Sequence, residues 1–223
     1  MSKKRLIITA IILTLVVAIG GILAYFTDVQ TKTNRFKMGD VKILVEEPNW
    51  PGDPDDPNDR VPVVPNQETP KDPKITNKGE GEIYAFVKVT IPVANVKIGE
   101  ATTAAPTQLF TTIATTQPKA TDDGTNTGWT LVSKTPETIG ATTETVTYIY
   151  AYGSATELTA LSKDQATTPV FDKVKFADVT ETEYTTSGVQ GKSYDVIVKG
   201  YGIQTDGLNS NVPATVWPLV EAE

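Results

Sequence analysis

The carboxylates carry most of this chain's capacity for chemistry, and their spacing limits what they can do. Asp53, Asp55, Asp56 and Asp59 lie close together in a proline-rich stretch. They offer the oxygen ligands that calcium takes. Pro57 stands at what would be the third ligand position of an EF-hand loop, and no glutamate closes it, so a solvated acidic loop is expected instead. Glu80 and Glu82 are the second candidates. Two carboxylates facing across a cleft can hydrolyse glycosides, but two residues apart at a polar strand entrance they are expected to be solvated. Asp122-Asp123-Gly124 is not the Asp-Thr-Gly of an aspartic protease, and no second copy completes a dyad. The chain has no histidine and no cysteine. That removes the usual base at neutral pH and the commonest zinc ligand, and with them Ser–His triads, Cys–His pairs and His-Glu-x-x-His proteases. The expectation is a protein that is not an enzyme, with no catalytic, metal or cofactor residue.

The N-terminus is more specific. Lys3-Lys4-Arg5 precedes an apolar run from Leu6 to Leu23. A basic segment, an apolar core and a small residue before a polar chain are the parts of a secretory signal. The run exceeds the usual core of about 7–15 residues and nears the roughly 20 that span a bilayer. An uncleaved membrane anchor is therefore the alternative reading. Gly20-Gly21 interrupts the helix, and Ala24 at −1 with Ile22 at −3 sets the cut between Ala24 and Tyr25. The expected organisation is a signal peptide over 1–24 and one domain over 25–223, with a Pro/Asp-rich loop at about 48–73.

The junction Ala24-Tyr25-Phe26-Thr27-Asp28, the Asn34-Arg35-Phe36 that follows, and Gly39 leading into an apolar alternation resemble the TasA/camelysin family. The resemblance extends more loosely to Gly128-Trp129-Thr130-Leu131, Tyr150-Ala151-Tyr152-Gly153, Thr168-Pro169-Val170-Phe171-Asp172 and Lys199 to Gln204. Such proteins are exported by Gram-positive bacteria through a dedicated signal peptidase, SipW. The resemblance implies a jelly-roll sandwich secreted to the cell surface or biofilm matrix, where it forms fibres. It also implies strand donation, in which the arm from Tyr25 to about Met38 pairs with a sheet edge of the next copy. Phe26 and Phe36 would fill pockets there, with Asp28 and Gly39 as the other motif positions. The partners implied are further copies or other matrix proteins, the signal peptidase, and a membrane only through the uncleaved signal. Camelysin-type relatives have been associated with metal-dependent proteolysis, and nothing in this sequence supports carrying that over.

The remainder reads as β-structure. The formal charge is −7, and loss of Lys3, Lys4 and Arg5 would make it more negative, so nucleic acid is not an expected partner. Without cysteine, packing and backbone ladders must hold the fold. Residues 36–47 form the expected first strand, with Val41, Ile43 and Val45 on one face. Residues 48–73 are expected to be an exposed loop, because their prolines remove backbone donors. Lys74 to Gly79 reads as a short strand and turn. Ile83 to Ile91 carries apolar residues on both faces and reads as a central strand, ended by Pro92. Residues 129–152 read as a hairpin whose Tyr148 and Tyr150 pack across strands rather than bind sugar. Ser154 to Leu161 is the expected helix, capped by Ser154 with Glu157 three residues on. Tyr194 to Tyr201 reads as a strand with Gly200 and Gly202 marking its end. Trp217 is expected to fill the core.

The fold expected is thus all-β, a jelly-roll-like antiparallel sandwich with one or two short helices, preceded by the signal or transmembrane helix. The alternative to fibre assembly is a monomeric surface adhesin or ligand-binding module, since long Thr- and Asp-rich loops are a common place for recognition.

Overall fold

One strand, Ile83–Val96, runs through the main sheet, with Ile83, Ala85, Val87, Val89 and Ile91 buried on one face and Phe86 buried on the other. The computed structural model describes residues 3, 4, 7, 8, 11, 12, 40–53, 56, 60–115, 128–180, 189 and 191–222. It is 40% strand and 9% helix, which places it in the all-β class. Two units divide the chain, Met1–Met38 and Gly39–Glu223. In the first, residues 3, 4, 7, 8, 11 and 12 are helical and exposed. Among the described residues no helix is long and apolar enough to cross a membrane.

The second unit contains β1 (Ile43–Glu46), β2 (Glu68–Pro70), β3 (Lys74–Asn77), β4 (Ile83–Val96), β5 (Ala105–Gln108), β6 (Phe110–Ile113), β7 (Trp129–Thr135), β8 (Thr145–Tyr152), β9 (Lys173–Phe176), β10 (Ile197–Gln204) and α1 (Pro213–Glu221). All the strand pairs are antiparallel. The main sheet runs β10-β4-β8-β7, and β5 joins the far end of β4. A second layer consists of the pair β1-β3 and the sheet β2-β9-β6.

Strand alternation sends the side chains of β4 into two cores. Ile83, Ala85, Val87, Val89 and Ile91 face the second layer, where Ile75, Phe110, Phe171 and Val174 meet them. Phe86 faces the other way, with Ile149 and Ala151 of β8. That outer face is covered by α1. Pro213, Val216, Trp217 and Val220 recur at helical spacing and are its buried residues. Pro213 opens the helix, where a missing N–H costs no bond, and the Val212 carbonyl accepts from Thr215 N and Val216 N, both at 3.0 Å. Trp217 lies 5.6 Å from the Phe86 ring and edge-on to Tyr201 at 5.3 Å, as a core-filling residue should. Burying a side chain of that size contributes about 1.5–3 kcal/mol.

Three expectations are corrected here. Ser154 to Leu161 is not a helix. Ser154 Oγ does accept from Glu157 N at 3.0 Å, as a cap would. The following donors, however, are taken by other segments. Leu158 N donates to Asn211 O and Leu161 N to Ile83 O, each at 2.8 Å, and Thr159 N donates to Tyr152 O at 2.9 Å. Gly200 and Gly202 do not end a strand but lie inside β10, where Val45, Ile43 and Val41 of the second layer settle onto them. Nor does Pro92 end β4. It pairs with Thr145 at the last rung shared with β8, after which Val93 to Val96 pair with β5. A residue without an N–H is tolerated where the strand exchanges one partner for another.

The β3–β4 turn is fastened by Asn77, which is fully buried. Its Nδ2 donates to Gly81 O at 2.8 Å and to Leu161 O at 2.9 Å, and its Oδ1 accepts from Gly79 N at 2.9 Å. Asn77→Ala would leave Gly81 O and Gly79 N without these bonds and Leu161 O with only its bond from Ile83 N, so denaturant titration should show a loss of about 2–3 kcal/mol. At Gly202 an added Cβ would lie 2.7 Å from Ile43 Cγ2, whereas at Gly81 it would meet nothing within 4 Å. Gly202→Val should therefore lower stability by about 1–3 kcal/mol, and Gly81→Ala should leave the unfolding midpoint nearly unchanged.

Candidate functional site

Two features of the second unit offer themselves to other molecules: a cleft beside β2-β9-β6, and the free edge of β10. The cleft depends on how the proline-rich stretch is tied down. Lys71 Nζ donates to both oxygens of Glu47, at 2.8 and 2.9 Å, and lies 4.8 Å above the Trp50 ring. Beside it, Asn49 donates through its backbone N to Asp72 Oδ1 at 2.9 Å and through Nδ2 to Oδ2 at 2.7 Å. Lys71 and Asp72 are both buried. Residues 47–50 and 71–72 are thereby joined, and the stretch between them leaves and returns at one place. Within it, β2 forms a three-residue strand at a sheet edge, where Pro70 is tolerated.

This base forms one wall of a cleft of ≈ 750 Å³. Its floor is the inner face of the small sheet, with Phe110, Val174 and Phe176, the two phenylalanine rings 5.3 Å apart. Residues 61–63 and 191–196 also line it. Thr69 also lines it. This residue is 5% exposed, and its Oγ1 has no hydrogen-bond partner among the described residues. Among the described residues, Arg60, Lys71 and Lys192 are the cations of the lining and Asp195 is its carboxylate. Burial pushes the Tyr194 phenol above the ordinary tyrosine range.

The second feature is β10. One side pairs with β4 over the whole strand, and no strand pairs with the other among the described residues. None of its eight residues is fully buried, and Ile197 is exposed. The opposite edge, β7, carries a bulge at Val132, between Leu131 and Ser133. Bulges blunt sheet edges, whereas β10 has neither a bulge nor a proline.

Among the described residues, those singled out from sequence do not assemble into a chemical site. Ala24, Tyr25, Phe26, Asp28, Phe36 and Gly39, which carry the cut and the assembly strand, lie outside the described residues. So do Asp55, Asp59, Asp122 and Asp123; among the described residues no three metal-binding side chains gather. Glu80 and Glu82 sit on an exposed turn. Lys163 donates to Glu80 at 2.8 Å, and Ser162 Oγ donates to Glu82 at 3.0 Å. The hydrogen bond to Glu80 and its charge raise the Lys163 ammonium above its usual value. The tyrosine stripe packs: Tyr148 and Tyr150 stack at 6.1 Å, Trp129 meets Tyr152 edge-on at 5.3 Å, and Tyr148 Oη donates to Gln108 Oε1 at 2.7 Å. Sequence reasoning missed the cleft. Its walls come from segments far apart in the chain, and the local signal was Trp50 and Arg60 flanking the acidic prolines.

The chain was compared with protein-family models, with curated proteins and with solved structures, and none of them matches it.

The Glu47–Lys71 pair should be costly to break from one side. Lys71→Met leaves a largely buried carboxylate without its cation, and a loss of about 3 kcal/mol is expected by thermal denaturation. Adding Glu47→Gln to that variant should restore part of the loss.

Proposed function

We propose that this protein is an exported structural component of the cell surface or biofilm matrix of a Gram-positive bacterium. In this reading it is a jelly-roll-like sandwich that joins copies into fibres by donating its N-terminal arm. A signal peptidase cuts between Ala24 and Tyr25 and frees the segment to about Met38, which then adds to an open sheet edge of the next copy. The observation that carries the reading is the eight-residue edge of β10 with which no strand pairs among the described residues. Long edges of this kind are templates for another strand. A contact between an arm and an edge on different surfaces does not close on itself and grows as a filament. The cleft favours a second role, that of a surface module that binds a ligand.

Residues 25–223 should form filaments visible by electron microscopy on concentration, and residues 39–223 should stay monomeric with the same circular dichroism. Persistent monomers of the longer chain, or filaments of the shorter one, would contradict the proposal.

A further inference from the structure

We infer that the cleft bounded by Trp50, Thr69 and Tyr194 is a binding site for a small amphipathic carboxylate. This rests on the ligand-binding role and is independent of fibre assembly. Three observations lead to it. The first is charge. The protein has a formal charge of −7, yet among the described residues the cleft lining holds three cations and one carboxylate, Asp195. Lys71 is neutralised by Glu47 at 2.8 Å. Arg60 and Lys192 form no ion pair among the described residues. Two free cations on the wall of a cleft in an acidic molecule attract a compact anion, and a guanidinium fits a carboxylate in a two-pronged hydrogen bond.

The second observation is the floor. Phe110, Val174 and Phe176 offer an aromatic and aliphatic surface, and the volume of ≈ 750 Å³ is that of a small-molecule pocket. An apolar or aromatic body would cover that floor while its head group meets Arg60 and Lys192. The third is Thr69. A buried hydroxyl without a partner is costly, and few are left so in a folded protein. In the cleft lining it can donate to the ligand's carboxylate.

Isothermal titration calorimetry on the purified full chain tests this with three probes: 4-phenylbutyrate, the uncharged 4-phenylbutanol, and glucuronate. Saturable binding of 4-phenylbutyrate is expected, with the alcohol weaker by about tenfold. Arg60→Gln and Lys192→Gln should each weaken the acid by about tenfold without changing the circular dichroism. Thr69→Val keeps the shape of the side chain and removes the orphaned hydroxyl. It should weaken the acid about threefold while leaving the melting temperature unchanged or raised. A merely structural threonine would leave the affinity unmoved, which would remove Thr69 from the site. Equal binding of acid and alcohol would overturn the role of the cations. Tighter binding of glucuronate would overturn the apolar body but preserve a ligand-binding module. Absence of saturable binding by all three would overturn both.

Discussion

Everything in the second unit depends on β4 being covered on both faces. A strand with Ile83, Ala85, Val87, Val89 and Ile91 on one side and Phe86 on the other cannot be stable with water on either. The second layer covers the first side and α1 covers the other. The ends of β4 are fixed by the same need. Asn77 sets where the strand begins, and the exchange from β8 to β5 at Pro92 sets how far it continues. The polar residues of its outer face, Lys88 and Thr90, fall at and beyond the edge of the helix. There Lys88 reaches Glu221 at 3.5 Å and Thr90 approaches Thr147 at 3.4 Å.

The two layers come together through backbone as much as through side chains. Gly200 and Gly202 lower the surface of β10 so that Ile43 and Val45 can lie against it. Residues 153–167 have little regular structure, yet their amides and carbonyls are bound to β3, β4 and the end of β8. Such a segment gains more from pairing with existing strand edges than from an isolated two-turn helix, whose nucleation is unfavourable. That gain is why a good capping sequence at Ser154 produced only a turn.

Much of the strand content was legible because its signal is local. The run from Ile83 to Ile91 is dense in β-branched and aromatic residues with apolar positions on both faces, the stripe of Val146, Tyr148 and Tyr150 has a two-residue period, and both occupy the main sheet. The helix at Pro213–Glu221 was equally periodic, with apolar residues at 213, 216, 217 and 220. Its two prolines masked that pattern, although the first of them suits a helix start. The glycines of β10 were misread because their cause is tertiary: only the arrival of β1 explains why side chains are missing there. The cleft had no single sequence signature, because residue 50, residues 60–63, Thr69, Lys71, Phe110 and residues 191–196 converge only after folding.

A doubly covered strand thus stands beside two surfaces that are open among the described residues, one a backbone edge and the other a charged cleft. The central expectation is that β10 is held from one side only. Amide hydrogen exchange on the monomer tests this directly, because an edge strand protects alternate N–H groups and a central strand protects them all. Slow exchange at consecutive amides from Phe86 to Thr90 of β4, which are paired on both sides, and an alternating slow–fast pattern from Ile197 to Gln204 is the expected result. Uniform protection along β10 would mean that its outer edge is already occupied within a single chain, and would contradict the account.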